Sequence, residues 1–159
     1  MLYYSLRAFD EHPGVDSIVL VTKEEFVEHC QKELAERYQF AKVRDICIGG
    51  KERYDSVYQG LSAIGAEGEN DIVLIHDGVR PLIEAKTITD CLECVKENGT
   101  AITVAPAIET IIRVNEEACI SDVIERSSCL MARAPQCFYL NEIYQAHLKA
   151  REENRHDFI

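Results

Sequence analysis

Asp77 and Arg80 follow directly after a short apolar run, and their types and spacing suggest phosphate chemistry. The run spans residues 72–75 and is followed by His76, Asp77, Gly78, Val79, Arg80 and Pro81. Such a run is typical of a buried strand in a parallel sheet, and ligands bind beyond the carboxyl ends of such strands. A carboxylate that supports Mg²⁺ beside an arginine suits a phosphorylated substrate. The structural alternatives are a turn cap by Asp77 and an ion pair between Asp77 and Arg80.

A second candidate segment begins at Gly49 and Gly50, where a predicted strand ends and a predicted helix begins. Its residues are Gly49-Gly50-Lys51-Glu52-Arg53-Tyr54-Asp55-Ser56-Val57. Glycines let the backbone approach a ligand closely, and a helix N-terminus offers free N–H groups to an anion. Arg53 and Ser56 would add guanidinium and hydroxyl contacts. A plain strand-to-helix turn capped by Ser or Asp is the alternative.

The remaining polar groups give weaker signals. Cys91 and Cys94 form a CxxC pattern inside a predicted helix, without a second pair or a histidine at zinc spacing. Thr110 and Arg126 flank a predicted hairpin, which would bring them together at its base, although exposed ribbon residues fit the same pattern. His76 is predicted to be a hydrogen-bonded structural residue rather than a base.

These candidates require elements to position them, and the hydrophobic periodicity predicts strands that alternate with helices. That alternation favours an α/β domain with a doubly wound, mostly parallel, Rossmann-like sheet. Residues 110–114 and 119–124 predict a β-hairpin that projects as an arm (about residues 107–127), and 1–159 is predicted to be a single domain. We predict helices over 2–9, 23–38, 53–64, 85–97 and 140–151, and strands over 17–22, 42–48, 71–75 and 100–105.

The composition excludes several classes of protein. The net charge is −11, from 28 acidic and 17 basic residues, which disfavours nucleic-acid binding because phosphate backbones require clustered cations. No apolar run approaches the roughly 18 residues that span a bilayer, so no membrane partner is expected. Seven scattered cysteines predict reduced thiols rather than a disulfide framework. We therefore expect a cytoplasmic protein.

Four motifs, taken together, are similar in order and spacing to those of one enzyme family. The chain resembles the 2-C-methyl-D-erythritol 4-phosphate cytidylyltransferases, together with the related ribitol-5-phosphate cytidylyltransferases. The resemblance covers nearly the whole chain. Its motifs are the segments 49–57 and 76–81, then Glu109-Thr110 with Arg126, and Ala134-Pro135-Gln136-Cys137-Phe138.

The resemblance implies a nucleotidyltransferase that moves a cytidylyl group from CTP to a polyol phosphate and releases pyrophosphate. It implies that Asp77 is a catalytic residue that supports Mg²⁺, and that Gly50 and Ser56 hold the cytidine end of CTP. In-line attack of the substrate phosphate on the α-phosphorus needs no protein nucleophile. The nucleotide-binding residues expected on this basis are Gly50, Arg53, Ser56, Gly78 and Arg80.

The resemblance also assigns a role to the arm. In this family the arm pairs two subunits and reaches into the partner's site, so a homodimer is expected. Thr110 and Arg126 would then act as catalytic residues that contact the polyol phosphate of the neighbouring chain.

Departures from the family pattern bear on the substrate and on activity. The segment Met131-Ala132-Arg133 and the pair Gly78-Val79 leave two polyols open. We expect 2-C-methyl-D-erythritol 4-phosphate, for isoprenoid precursor synthesis, with ribitol-5-phosphate, for cell-surface polymers, as the alternative. The chain lacks the family's N-terminal glycine-rich loop and its C-terminal lysine segment, so we expect a fragment with little activity alone. A non-catalytic binding or dimerisation module is the hypothesis from another class.

Overall fold

The computed structural model is a mixed α/β protein in which helices and strands alternate through the first two thirds of the chain. It describes residues 1–65, 68 and 70–155. A π-helical segment (Gln31–Arg37) continues α2, and a 3₁₀ turn (Arg126–Ser128) precedes the last strand. The helices are α1 (Leu2–Asp10), α2 (Glu24–Cys30), α3 (Arg53–Ile64), α4 (Ala85–Asn98) and α5 (Leu140–Glu152); the strands are β1 (Ile18–Thr22), β2 (Val43–Ile48), β3 (Ile72–Ile75), β4 (Thr100–Pro106), β5 (Ile111–Val114), β6 (Ile120–Ile124) and β7 (Leu130–Tyr139).

Helix boundaries follow local sequence signals closely. The α3 helix has the predicted bounds, and α4 ends one residue beyond its predicted end. Gly99 terminates α4 in the left-handed conformation with φ +83°, which glycine adopts without a steric penalty. These two helices therefore lie where sequence periodicity and a glycine stop signal place them.

The strand pairing differs from the predicted mostly parallel sheet. In the described residues β1 and β2 form a parallel pair, whereas β3 and β4 each pair antiparallel with β7. The prediction that β3 pairs in parallel with its neighbour is therefore wrong for these pairings. Because both are antiparallel to β7, β3 and β4 run in the same direction on either side of it, and α4 connects them.

Strand β7 is the main element that the sequence analysis missed. The sequence pattern predicts no strand beyond residue 124, but β7 runs through both Pro135 and Gln136. Proline has no N–H to donate to a ladder, so it is tolerated where the pairing is irregular. The register of β4 against β7 shifts between Ile102 and Val104, opposite Pro135, and the Thr103 hydroxyl donates to the Pro135 carbonyl at 3.0 Å. The irregularity thus accommodates the proline inside a three-stranded sheet.

The apolar residues of β3 pack against strand β1 and against helices α3, α4 and α5. Val73 is buried with Leu61 of α3 and Leu140 of α5. Leu74 packs beside Ile18 of β1 against a cluster that contains the fully buried Ile88 of α4. Within β3 only Val73 is buried, and its other three residues are half-buried. The carboxyl end of β3, where Asp77 follows, is therefore fixed by packing on both faces.

A β-hairpin follows β4. The β5 and β6 strands pair antiparallel with Ile111 opposite Ile124 and Ile112 opposite Val123. The turn is closed by Asn115, whose side-chain oxygen accepts from the Cys119 N–H at 2.9 Å. In the described part of the chain this hairpin forms a two-stranded sheet of its own.

None of the described helices is both long enough and apolar enough to cross a bilayer. All seven cysteines are free thiols. Cys30, Cys91 and Cys137 are buried, whereas Cys119 on the hairpin is exposed. Burial, together with the nearby Cys91 thiol, raises the pKa of Cys137 far above its ordinary value, so this thiol stays protonated.

Candidate active site

Asp77 lies in a tight turn at the carboxyl end of β3, where it binds two arginines. The Arg80 N–H donates to the Asp77 carbonyl at 2.9 Å and closes the turn. The Arg80 Nε–H donates to one carboxylate oxygen of Asp77 at 2.9 Å. An Arg53 Nη2–H approaches the other carboxylate oxygen at 3.5 Å. Each oxygen of Asp77 therefore faces a different guanidinium.

The charge of Asp77 is stabilised despite its partial burial. Burial alone would raise its pKa, but the hydrogen bond from Arg80 and the positive charges of Arg53 and Arg80 outweigh that effect. The net result is a pKa below the ordinary value for aspartate. Asp77 is therefore ionised at neutral pH, as a residue that supports a cation must be.

The Arg53 contact connects the two polar segments identified from the sequence. Arg53 is the first residue of α3, and 24 positions separate it from Asp77. The ion pair of Asp77 with Arg80 was predicted as a structural alternative, and it is present. Two cations next to one carboxylate form a cluster that is able to contact phosphate oxygens.

The two glycines before α3 are explained by contacts within the chain. The Gly49 N–H donates to the Thr22 carbonyl at 2.8 Å, and the Gly50 N–H donates to the Ser56 hydroxyl at 3.1 Å. A Cβ at Gly49 would come within 2.7 Å of the Ser56 oxygen, and one at Gly50 would overlap Asp55. The turn is therefore closed by Ser56, which also donates to the Glu52 carbonyl at 3.2 Å.

Helix α3 begins beside this turn. Glu52 precedes the helix and makes no side-chain capping bond. The first three N–H groups of a helix have no partner within the helix and give its N-terminus a positive potential. Arg53, at this end of α3, is the cation that approaches Asp77.

Residues of α5 hold α3 in place, and the sequence analysis did not identify them. Arg151 donates to an Asp55 carboxylate oxygen at 2.9 Å and lies 4.5 Å from the centre of the Tyr58 ring. Tyr58 in turn stacks on Tyr144, with a centroid distance of 5.9 Å. The hydrogen bond from Arg151 holds the pKa of Asp55 below its usual range. No local pattern signals these contacts, because Arg151 and Asp55 are 96 residues apart.

A cleft of about 430 Å³ lies between α3, α5 and the ends of β3 and β7. Its lining is mostly apolar and includes Val57, Ile75 and Phe138, and the cations Arg53 and Lys149 also line it. Because Arg53 also contacts Asp77, the cleft is continuous with the arginine cluster.

His76 has the structural role that the sequence predicts. Its Nε2 lies 3.0 Å from the Arg80 carbonyl, and its ring centre is 5.0 Å from that of Phe9 on α1. Burial lowers the pKa of His76, so the ring is neutral near pH 7 and donates from Nε2. It braces the turn that carries Asp77.

Thr110 and Arg126 lie at the base of the hairpin. Thr110 directly precedes β5 and Arg126 follows β6 by two residues, so the pairing of Ile111 with Ile124 places them at the same end. Arg126 donates to the Ile108 carbonyl at 3.0 Å. Among the described contacts none joins either side chain to Asp77. In residues 1–65, 68 and 70–155, no group of three or more His, Cys, Asp or Glu side chains could hold a metal.

Known proteins are similar to this chain in sequence. The chain is 40% identical over 154 residues to a ribitol-5-phosphate cytidylyltransferase of Vibrio parahaemolyticus, a match that covers 96% of the chain and 64% of the relative. It is 37% identical to a 2-C-methyl-D-erythritol 4-phosphate cytidylyltransferase of Clostridium botulinum, with 98% and 66% covered. The chain thus spans just under two thirds of the length of these relatives.

A solved structure supports the fold assignment. The crystal structure of 4-diphosphocytidyl-2C-methyl-D-erythritol synthase from Anaerococcus prevotii superposes with a TM-score of 0.85 at 24% identity. That match covers 99% of this chain and 66% of the other. The family model described as IspD, 2-C-methyl-D-erythritol 4-phosphate cytidylyltransferase, matches residues 1–157. The chain therefore belongs to the 2-C-methyl-D-erythritol 4-phosphate cytidylyltransferase family.

Proposed function

We propose that the protein is a cytidylyltransferase that transfers CMP from CTP to a polyol phosphate and releases pyrophosphate. The observation that carries this proposal is the approach of Arg53 to Asp77 at 3.5 Å, with Arg80 at 2.9 Å. It joins the two segments that resemble the family's nucleotide-binding motifs into one cluster of charges. Family membership gives that cluster its chemical interpretation.

The reaction requires positioning and charge neutralisation more than a protein nucleophile. An oxygen of the substrate phosphate forms a bond to the α-phosphorus of CTP while the bond from that phosphorus to the bridging oxygen breaks. Arg53 and Arg80 would bind the negative oxygens that crowd together as the two phosphates meet. Ser56 and the Gly50 backbone would form the wall that holds the cytidine end. The start of α3 would add the positive end of its helix dipole.

The donor set also fits a Mg²⁺ ion shared with the nucleotide. Mg²⁺ is commonly held by one or two carboxylates, with substrate phosphates and water completing its shell. Asp77 is ionised, half-buried and adjacent to cations that would bind phosphate, so it is the residue that would hold the ion. Bound there, Mg²⁺ would neutralise charge on the CTP phosphates. Gly78 would keep the turn close to the nucleotide.

The preferred polyol is proposed to be 2-C-methyl-D-erythritol 4-phosphate, with ribitol-5-phosphate as the alternative. The test joins this chain to the flanking residues of the Vibrio relative and, separately, to those of the Clostridium relative. Pyrophosphate release is then measured with each polyol phosphate. A preference for the erythritol phosphate in both chimeras is expected. A preference for ribitol-5-phosphate in both would select the alternative.

Binding of CTP tests the enzyme assignment itself. Isothermal titration of the 159-residue chain and of both chimeras with CTP and Mg²⁺ is expected to show Mg²⁺-dependent affinity, which is stronger in the chimeras. If no form of the protein binds CTP, the enzyme proposal fails. The module that only binds or dimerises would then be the better description.

A homodimer through the hairpin is proposed from its exposed apolar face. The cross-strand pair Ile112 and Val123 is 45% and 62% exposed, and Val114 and its partner Ile120 are 52% and 64% exposed. Such patches commonly mark protein interfaces. Arg113 and Asp122 form the intervening pair, on the other face. We propose that the partner subunit covers this patch, and that Thr110 and Arg126 thereby reach the partner's polyol phosphate.

Light scattering after size exclusion tests the interface. Val123→Asp places a charge in the apolar patch and is expected to shift the protein to monomers, whereas Arg113→Asp on the opposite face leaves the dimer intact. A monomer in the unchanged protein, or a dimer in Val123→Asp, would contradict the proposed interface. The seven free thiols favour a reducing location, and we propose the cytoplasm.

A further inference from the structure

One face of α1 forms the surface on which the Asp77 turn rests. Leu2, Ser5 and Phe9 are spaced three and four residues apart, so they lie on the same side of the helix. A Cβ at Gly78 would come within 3.1 Å of Leu2 Cδ1, and the Phe9 ring packs 5.0 Å from that of His76. Between these apolar contacts, the Ser5 hydroxyl donates to the Gly78 carbonyl at 2.9 Å.

The Ser5 hydrogen bond is unusual for a serine inside a helix. Such a hydroxyl commonly bonds to a carbonyl one turn earlier in its own helix, as Ser62 does to Tyr58 at 2.8 Å. Ser5 is only 3% exposed and instead bonds across 73 residues to the turn. If the turn opened, the Ser5 hydroxyl and the Gly78 carbonyl would lose their hydrogen bond, and the buried hydroxyl would be left unpaired. The bond therefore resists local opening of the turn.

The bond acts on the backbone that orients Asp77. Gly78 follows Asp77 directly, and the turn is closed on its far side by the Arg80 N–H to the Asp77 carbonyl. Gly78 has no left-handed φ, so its small size serves the contact with Leu2 rather than a special conformation. The Gly78 carbonyl belongs to the peptide between Gly78 and Val79, so the Ser5 bond fixes the central peptide of the 77–80 turn that Asp77 begins.

We propose that Ser5 is a positioning residue that, from α1, holds the 77–80 turn in the geometry in which Asp77 and Arg80 act on the nucleotide. The inference rests on the proposed function for its effect on CTP, but its effect on the turn is independent of any ligand. Helix α1 and the turn then move as one unit, and a change in α1 alters the site without touching the reacting groups.

Amide hydrogen exchange measured by NMR tests the effect on the turn. Ser5→Ala is expected to speed exchange of the Arg80 amide roughly threefold to tenfold, the factor that one hydrogen bond contributes. The Val95 amide, in the fully buried interior of α4, serves as the reference for global stability. Ser5→Cys keeps the approximate size and a weak donor, so its Arg80 exchange rate is expected to lie between those of the original chain and Ser5→Ala. Ser62→Ala is the matched control and is expected to leave Arg80 unchanged.

Two outcomes would overturn the proposal. Unchanged exchange at Arg80 in Ser5→Ala would show that the bond does not hold the turn. An equal rise at Arg80 and Val95 would show that Ser5 contributes only to global stability.

Titration with CTP and Mg²⁺ provides the second measurement. Ser5→Ala is expected to weaken Mg²⁺-dependent CTP binding by a factor similar to the exchange effect, while Ser62→Ala does not. If CTP binds no form of the protein, chimeras included, but Arg80 exchange rises in Ser5→Ala, the proposed function fails and the role of Ser5 in the turn stands. Equal CTP affinity in the original chain and Ser5→Ala would overturn the role in the site.

Discussion

Replacement of Asp77 by asparagine should separate the chemistry of the site from its contribution to folding. The substitution keeps the size of the side chain and one oxygen acceptor, and it removes the charge that faces two guanidiniums. Asp77→Asn is therefore expected to weaken Mg²⁺-dependent CTP binding strongly and to change stability only slightly.

The small stability effect follows from the exposure of the ion pairs. The side chains of Asp77, Arg80 and Arg53 are 31%, 47% and 38% exposed. Ion pairs this accessible are screened by solvent and contribute about 0–1 kcal/mol each. The Arg53 pair, at 3.5 Å, lies at the weak end of that range, and loss of the charge also removes the cost of its partial burial. We therefore expect the free energy of unfolding to fall by less than about 1.5 kcal/mol.

The effect on the nucleotide should be much larger. Groups that meet developing charge commonly contribute about 2.7–4 kcal/mol, or roughly a hundredfold to a thousandfold in rate. In either chimera, we expect pyrophosphate release by Asp77→Asn to fall by at least about a hundredfold, consistent with that range.

Urea unfolding followed by circular dichroism measures the stability. Pyrophosphate release by the chimeras, together with titration of CTP with and without Mg²⁺, measures the effect on the nucleotide. Asp71→Asn is a matched control, because Asp71 lies at the opposite end of β3 and accepts from the Gly68 N–H at 2.8 Å. It should leave Mg²⁺-dependent CTP binding unchanged. Pyrophosphate release by Asp77→Asn within about threefold of normal would remove Asp77 from the site. A stability loss above about 3 kcal/mol would show that the cluster is structural, because that is the range for breaking a buried pair.

Two further predictions concern the contact between α3 and α5. Arg151→Ala removes both the Asp55 hydrogen bond and the Tyr58 ring contact, and the free energy of unfolding in urea should fall by about 1–2 kcal/mol. Lys149→Ala is the control: it removes only an exposed contact with Glu153, and the free energy of unfolding should fall by less than about 0.5 kcal/mol. Equal losses would contradict a role for Arg151 in joining the helices. The second prediction concerns His147, whose pKa is lowered by burial and, to a smaller extent, by the charge of Arg151. Near and below pH 6.5 the unfolded chain therefore binds a proton at His147 more readily than the folded protein does. The free energy of unfolding should fall as the pH falls through that range. His147→Gln should reduce this slope, which for one proton cannot exceed about 1.4 kcal/mol per pH unit, and an unchanged slope would show that His147 does not cause it.

The pairing of β7 shows where sequence reasoning fails. Hydrophobic periodicity describes one segment at a time, and Pro135 is a reliable local signal against a strand interior. In the structure the cost of that proline is met by a register shift on another strand, between Ile102 and Val104. The predicted direction of β3 relative to its neighbour was wrong for the same reason, because its partner is β7, a strand that the local pattern does not predict.

The candidate site divides in a similar way. Asp77 and Arg80 are three residues apart, so their ion pair followed from the sequence as one of two alternatives. The contact of Ser56 with Gly50 is also local, because the two residues are only six positions apart. In contrast, the approach of Arg53 to Asp77, the bond of Ser5 to Gly78 and the bond of Arg151 to Asp55 each join distant segments. The roles of Thr110 and Arg126 toward a partner stay a prediction.

The sequence by itself determined the helices, most of the strands, the hairpin and the polar residues that follow β3 and β2. These features depend on propensities, periodicity and turn residues within about a dozen positions. Only the tertiary structure decided which strands pair, that α1 supports the Asp77 turn and that α5 braces α3. Such contacts depend on how whole elements pack, because a side chain at position 5 or 151 finds its partner only once the sheet has fixed the distance between helices.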